Sequence, residues 1–407
     1  MKEPLRIGIA GLGNVGRGLV KIIENNAPQL AERVGREIII TAVSARSRQL
    51  DRGVDVSGYD WHDNALDLAA ADNVDVVVEL IGGSDGIAKT LCEMAIANGK
   101  HFVTANKAMV AHHGASLAVQ AEDRCVALKF EAAVAGAIPI IRTIREGLSG
   151  DRIASVSGIL NGTCNYILTE MEATGRGFDE VLEEAQRLGY AESDPTFDVD
   201  GIDTAHKLAI LASMAFNTTP DFDGVAVEGI RQVAGVDIKY AHDFGYRIKL
   251  LGTTRMVGGC LEQRVQPCLV DLKAAIASVE GSFNAVAVEL EYADRMILEG
   301  RGAGEGPTAS AVMADIVDIA RNNIFPVFSV PASNLSDGQR LDSDQHIGSF
   351  YIRLHVHDRP GVMAQISEFL SDEDISIESL IQRGRGPNGG IYVVLTTHET
   401  QEKGMHK

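Results

Sequence analysis

Apolar positions in the first third of the chain alternate between two textures. Short continuous runs such as "RIGIA", "EIIITAVSA" (Glu37–Ala45), "VDVVVELIG" and "HFVTAN" are rich in β-branched residues, as strands covered on both faces are. Between them the spacing turns helical, from Val15 in "GNVGRGLVKIIENN" and through "IAKTLCEMAIANG", which Gly99 closes. Strand and helix in alternation predict an α/β unit built on a doubly wound parallel sheet. From about Glu131 the texture changes. "EAAVAGAIPII" is small and apolar, and strand-like segments such as "ASVSGIL" and "RMVGGCLEQRVQPCLV" are separated by helices. This predicts an α+β unit that ends in the helix "TASAVMADIVDIARNN" (Thr308–Asn323). Residues 331–348 are poor in apolar residues and rich in Ser, Asp and Gly, as linkers are. Beyond them "SFYIRLHVHD", "GVMAQISEFLSDED", "ISIESLIQRGRG" and "GGIYVVLTTHE" read as β-α-β-β. The expected units are therefore 1–132, 133–330 with its last helix packing back on the first, a linker at 331–348, and 349–407.

Composition narrows the classes of function. A chain of 407 residues, 45% of them hydrophobic, is long enough to bury at least two cores. Its formal net charge of −19 argues against a nucleic-acid or anionic-membrane partner. "LAILASMAF" (Leu208–Phe216) is too short to span a bilayer, and "MKEPLRIGIAGLGNVG" lacks a cationic segment ahead of a long apolar run. Cys92, Cys125, Cys164, Cys260 and Cys268 are odd in number and form no CxxC. The expectation is a cytoplasmic, reduced protein without structural zinc.

Gly11, Gly13 and Gly16 form GxGxxG between the first strand and the first helix. The first glycine permits a tight turn, the second lets a pyrophosphate approach the backbone, and the third lets helix and strand pack closely. The helix N-terminus adds N–H groups and partial positive charge. This predicts a Rossmann-type dinucleotide site. The second strand ends in "VSARSR", with Arg46 and Arg48 and no acid until Asp51. Arginine there suits the 2′-phosphate of NADP better than the bare ribose of NAD, which leaves NAD possible and NADP preferred. Lys107, in "TANK", falls at the carboxyl edge of the sheet, where ligands of this architecture bind.

The stretch "GYAESDPTFDVDGIDTAHKL" (Gly189–Leu208) carries Glu192, Asp194, Asp198, Asp200 and Asp203 ahead of Lys207. A calcium loop would need a bidentate Glu at its twelfth position. Aligning Asp198, Asp200 and Gly201 to the third, fifth and sixth positions puts Lys207 there instead. On a helix from about Ile202, Asp203 and Lys207 share one face at i, i+4. The apolar run after Lys207 predicts a buried helix, so this pair is expected to line a cavity. The surrounding acids suit a substrate with an α-ammonium group.

"SGILNGTCNYIL", "GYAESDPTFDVDGIDTAHKLAIL", "DFGYRIKLLG" and "GRGAGEGPTASAVMAD" together resemble homoserine dehydrogenases. The resemblance implies reversible hydride transfer between aspartate 4-semialdehyde and homoserine. By matching motif, Lys207 would be the general acid/base, with Lys107 between the substrate hydroxyl and the nicotinamide. Glu192 and Asp203 would bind homoserine, with Asp198 in support. Gly13, Asn14 and Val15 would cradle the diphosphate, beside Gly11 and Gly16, and Arg46 would hold the 2′-phosphate. Gly189, Gly304 and Gly306 would touch the cofactor, and Asn161 and Thr163 would border the nicotinamide pocket. The family also implies a monovalent cation, usually sodium, near Glu131 and the carbonyls of Val134, Gly136 and Ile138. It implies a homodimer through the middle sheet, with a tetramer through the tail left open.

Lysine titrates ordinarily at about 10.4, so a protonated Lys207 is ready to donate in reduction, whereas oxidation requires it neutral. Aspartate-semialdehyde dehydrogenase, the alternative, needs a nucleophilic cysteine and a base; Cys164 is the one candidate, and its neighbours Thr163 and Asn165 offer no base. A non-catalytic NADP sensor is a second alternative. "YIRLHVHDRPGVMAQISEFLSDEDISIESLIQRG" resembles an ACT domain, a ferredoxin-like unit that implies feedback by an amino acid, typically threonine, at "DRPGV". Its β-α-β-β order is expected to leave a three-stranded remnant with an unpaired edge.

Overall fold

The computed structural model describes residues 2–324, 326–383 and 390–406; the end of "IQRGRG", residues 384–386, lies outside them. The first sheet contains β1 (Leu5–Ala10), β2 (Ile38–Ser44), β3 (Asp60–His62), β4 (Val76–Glu79), β5 (His101–Thr104) and β6 (Leu128–Lys129). All are parallel, in the order β3-β2-β1-β4-β5-β6. Ile7, Ile9, Val77, Val78 and Val103 are buried because helices cover both faces of the sheet. One face packs against helices Asn14–Val34 and Glu305–Ala320, the other against Ile87–Ala97 and Lys107–Asp123. Strand order reverses between β1 and β4, which opens a crevice at the carboxyl ends of the strands.

The second sheet contains β7 (Ile153–Ile159), β8 (Ala226–Val227), β9 (Tyr246–Val257), β10 (Cys260–Asp271), β11 (Phe283–Leu290) and β12 (Arg295–Arg301). Its order is β12-β11-β7-β9-β10-β8, antiparallel except for the β8–β10 pair. "RMVGGCLEQRVQPCLV" is thus a hairpin, because Gly258 and Gly259 turn β9 into β10. The helix Ile202–Phe216 lies against β7, β9 and β10 and is buried from Asp203 to Met214. The helix expected at Thr308–Asn323 runs from Glu305 to Ala320 instead, and Asn322 beyond its end is left-handed (φ 62°).

Residues 331–348 are strapped to the second sheet. Leu261 donates to the Gln339 carbonyl (2.7 Å), and Leu341 donates back to the Leu261 carbonyl (2.9 Å). Arg340 adds two bonds of 2.7 Å to the Asp221 carboxylate. Backbone pairing and an ion pair hold most of this polar stretch, and Ala332 and Leu335 at its start add apolar contact with the core. The tail contains β13 (Ile347–Gly348), β14 (Tyr351–His357), β15 (Ile377–Gln382), β16 (Gly390–Thr397) and β17 (Thr400–Gln401), with helix Val362–Asp372 between β14 and β15. Its main sheet is antiparallel in the order β14-β16-β15, and among the described residues β14 pairs on one side. No described helix is long and apolar enough to cross a membrane.

Candidate active site

The glycine turn follows β1. Gly11 has φ 106°, and a Cβ there would lie 2.6 Å from the Leu80 carbonyl oxygen at the end of β4. A Cβ on Gly16 would collide with the Gly11 carbonyl. Gly13 is different: nothing lies within 4 Å of where its Cβ would be, and it opens the helix Asn14–Val34, which has no side-chain cap. The first N–H groups of that helix are therefore presented to the crevice, as an anionic diphosphate requires. Asn14 is exposed and Val15 half-buried at this surface. Beyond β2, Arg46 and Arg48 are both exposed, and the Arg48 guanidinium lies 6.0 Å from the Trp61 ring centre.

Gly304 caps the helix Glu305–Ala320, with Gly306 in its first turn. Glu305 reaches across to Arg17 (2.9 Å) and Lys21 (2.7 Å), which locks this helix to the one that leaves the glycine turn. On β4, the buried Glu79 accepts from the N–H of Ile81 (2.6 Å) and of Gly82 (2.8 Å), and from the Thr104 hydroxyl (2.5 Å). Asn106 then donates to the Gly83 carbonyl (2.6 Å) and accepts from the Met109 N–H (3.1 Å), capping the helix whose first residue is Lys107. Sequence reasoning passed over Glu305 and Glu79. The signal for Glu79 was present, as an acid closing the apolar run "VVVE".

Both lysines meet one carboxylate. Lys207 Nζ donates to Asp203 Oδ2 (2.7 Å) and to the Leu160 carbonyl (2.7 Å), and Lys107 Nζ lies 3.1 Å from Asp203 Oδ1. Asn161 Nδ2 lies 2.8 Å from both Asp203 Oδ2 and Asp198 Oδ1, while its Oδ1 caps the helix Gly162–Thr174 through the Cys164 N–H. Burial alone would push the Asp203 carboxyl up. Lys207, Lys107 and Asn161 outweigh it and hold Asp203 well below the usual carboxylate range. Asp198 lacks a close ammonium, and burial pushes its carboxyl up against the opposing Asn161 bond. Thr163 Oγ1 donates to the Tyr190 carbonyl (2.6 Å) and sits 3.4 Å from Asp198 Oδ2.

The acidic stretch divides by partner. Asp194 accepts from the Thr196 N–H (3.1 Å), Asp200 pairs with Arg231 at the surface, and Asp198 and Asp203 turn inward to Asn161. Glu192 is exposed and makes no ion pair with either lysine among the described residues; its carbonyl accepts from Gln186 (3.0 Å). Gly189 is exposed and left-handed (φ 79°) where the chain leaves the helix Phe178–Arg187. Asp203 meets Lys107 on Oδ1 and Lys207 and Asn161 on Oδ2, so it anchors both lysines.

A family model described as the homoserine dehydrogenase NAD binding domain matches residues 11–131, one described as homoserine dehydrogenase matches 139–317, and an ACT domain matches 350–405. The homoserine dehydrogenase of Neisseria gonorrhoeae is 44% identical over 98% of this chain and 93% of its own length. That of Bacillus subtilis is 38% identical over 98% of this chain and 93% of its own. The chain belongs to the homoserine dehydrogenase family.

Among solved structures, a homoserine dehydrogenase from Thiobacillus denitrificans superposes with a TM-score of 0.93 at 42% identity, covering 99% of this chain and 93% of that one. A hyperthermophilic archaeal homoserine dehydrogenase in complex with NADPH gives 0.67 at 26% identity, covering 79% and 99%. The chain is therefore an oxidoreductase that works with a nicotinamide cofactor. In this homoserine dehydrogenase Cys164 is fully buried, its Sγ lies 3.2 Å from the Asp198 carbonyl oxygen, and burial pushes its thiol well up. A nucleophilic role for it is ruled out by this setting.

Glu131 begins a short turn, Glu131–Ala133, and each of its oxygens accepts a backbone N–H, from Ile141 and Arg142 (2.9 Å each). Burial raises the Glu131 carboxyl, with the nearby Asp315 charge adding to it, and burial likewise raises Asp315, whose Oδ2 accepts the Glu131 N–H (2.8 Å). Asp315 Oδ1 is a buried oxygen without a hydrogen-bond partner among the described residues. Val134, Gly136 and Ile138 are buried beside this turn. Among the described residues no three His, Cys, Asp or Glu side chains form a metal cluster.

Proposed function

We propose that this homoserine dehydrogenase reduces L-aspartate 4-semialdehyde to L-homoserine, reversibly, with Lys207 giving the proton to the carbonyl oxygen in reduction and taking it back in oxidation. One observation carries the proposal: Lys207 is 9% exposed, and two of its three N–H donors are fixed by Asp203 and the Leu160 carbonyl. The third is left for a substrate oxygen. A bound nicotinamide cofactor would supply or accept the hydride. The chain's own residues do the rest: Asp203 holds both lysines in place, and Lys107 supplies a second positive charge beside the reacting oxygen. Asp198 and the exposed Glu192 are available to the substrate's α-ammonium group.

The same reading prefers NADP, since Arg46 and Arg48 follow β2 where NAD would need a carboxylate. Gly11, Gly13, Asn14, Val15 and Gly16 would carry the diphosphate, with Gly189, Gly304, Gly306, Asn161 and Thr163 around the remaining cofactor surface. A monovalent cation, sodium for preference, would take Glu131 and the carbonyls of Val134, Gly136 and Ile138. The unbonded Asp315 oxygen beside them fits such a charge, which would favour the ionised form of both acids. A homodimer through the second sheet, or a tetramer using the tail, belongs to the same proposal; Val227 and Met256 stand exposed on that sheet. Threonine at "DRPGV" would be the effector, where Gly361 (φ 93°) opens the uncapped helix Val362–Asp372.

The test is a cofactor-oxidation assay with aspartate 4-semialdehyde and no phosphate or acyl acceptor, using NADPH and NADH separately. Wild type should consume NADPH, and Lys207→Ala should lose about 10²–10⁴-fold in turnover, as removal of a proton-transfer group does. Unchanged turnover in Lys207→Ala would reject the assignment.

A further inference from the structure

Beside the lysine pair stands an aromatic ring that the proton-transfer chemistry leaves without a task. Phe197 lies on the short helix Thr196–Val199, next to Asp198, and is 42% exposed despite its size. Lys107 Nζ sits 5.4 Å from the centre of its ring. Behind, the ring stacks on the His206 imidazole with centroids 5.5 Å apart and 28° between planes. His206 stacks in turn on Phe222 at 4.1 Å and 22°. His206 Nδ1 lies 2.9 Å from the Ile202 carbonyl oxygen, so that nitrogen carries the hydrogen and donates it. Its Nε2 then faces His112 Nε2 at 3.3 Å as the acceptor. Burial lowers the His206 pKa, so the stack places no second cation behind the ring.

Among the described residues the ion pair with Asp203 holds the Lys107 ammonium at one point. A lysine stem has four rotatable bonds and can swing about a single anchor. A ring face within about 6 Å attracts an ammonium and supplies a second anchor from another direction. We propose that Phe197 is a positioning residue for Lys107: its ring, backed by His206 and Phe222, holds the ammonium against Asp203 in the one orientation that faces the reacting oxygen. The inference rests on the role given to Lys107 above. It also assigns a use to His206, the neighbour of Lys207 on the same helix, as the rigid backing of that ring.

A double-mutant cycle tests it, with kcat/KM for aspartate 4-semialdehyde at saturating NADPH as the readout and melting temperature measured alongside. Phe197→Leu keeps apolar bulk and removes the ring face, and it should lower kcat/KM about 3- to 30-fold, the range of an ammonium–ring contact. Phe197→Tyr keeps the face and should match wild type to within about twofold. In a Lys107→Met background Phe197→Leu should cost nothing further, because the partner it positions is gone. An equal loss in both backgrounds would mean that the ring acts through packing, and the proposal would fall. A wild-type rate in Phe197→Leu beside a strongly impaired Lys107→Met would overturn it too, while leaving the lysine's role standing. Wild-type activity in Lys107→Met would instead remove that role and the inference with it. Should Phe197→Leu fail to fold, Phe197→Met enters the same cycle with the same expectations.

Discussion

Asp203 takes one ammonium on each oxygen and so fixes two lysines from different layers of the molecule. Removing one partner of a buried ion pair generally costs about 3–5 kcal/mol, because the other charge is left stranded. Asp203 is less exposed to that penalty than a single pair would be, since either lysine and Asn161 remain when the other lysine is removed. Lys207→Ala is thus expected to fold. Arg46 is the residue-scale test of cofactor choice. A hydrogen bond to a charged group contributes about 1.5–3 kcal/mol, so Arg46→Ala should raise KM for NADPH roughly 10- to 100-fold and leave KM for NADH almost unchanged. Equal changes for both cofactors would show that Arg46 does not meet a 2′-phosphate. Lys207, Lys107 and Asp203 were legible in the sequence because i, i+4 spacing and strand ends translate directly into positions. The engagement of both Asp203 oxygens was not, because Asn161 and Lys107 reach it from far along the chain.

Elements were legible to different degrees. Parallel strands announce themselves as unbroken apolar runs, which made β1, β2, β4 and β5 legible. The short edge strands β3 and β6 and the order β3-β2-β1-β4-β5-β6 were not, because alternation alone suits more than one order. The strap at 331–348 was hidden because much of its hold is backbone pairing to Leu261, which leaves no trace in hydropathy. Helix Glu305–Ala320 began earlier than its apolar spacing suggested, since Glu305 belongs to the first turn through its ion pairs and not through burial. A test at this scale concerns β9. Lys249 there is buried, bonded to Asn165 Oδ1 (3.0 Å) and the Val279 carbonyl (2.6 Å), and burial lowers it to about 8. A lysine lowered in the folded state binds fewer protons there than when unfolded, between about 8 and the ordinary 10.5. Stability should therefore rise with pH across that window, by roughly 3 kcal/mol at most. Denaturant melts at pH 7.5 and 10 should show the gain in wild type and its absence in Lys249→Met. A parallel gain in both proteins would contradict it.

At the scale of the whole molecule the tail is tied by charge to the second sheet, through Arg264, and to the helix Gly235–Asp243, through Asp237. Arg264 takes both oxygens of Glu402 (2.7 and 3.0 Å), and Asp237 receives Arg353 (2.7 Å) and the Tyr351 hydroxyl (2.8 Å). These pairs lie at the cleft between the tail and strands β9 and β10, a cavity of about 800 Å³. An effector bound by the tail would thus have a mechanical route to the sheet that supports Lys207's helix. Calorimetric titration with threonine should give saturable heat at or below millimolar concentration. No heat at that concentration would remove threonine as the effector and leave the catalytic assignment untouched.

The central claim, that Lys207 moves the proton, is tested most directly by the pH profile of homoserine oxidation under conditions where a deuterium isotope effect shows chemistry to be limiting. Oxidation needs a neutral amine, and an amine gives up its proton as pH rises, so wild-type turnover should climb from pH 7 to 10. In Lys207→Ala the rate should be lower and the climb should vanish. A wild-type profile that is flat across the same range, with the isotope effect fully expressed, would contradict the account.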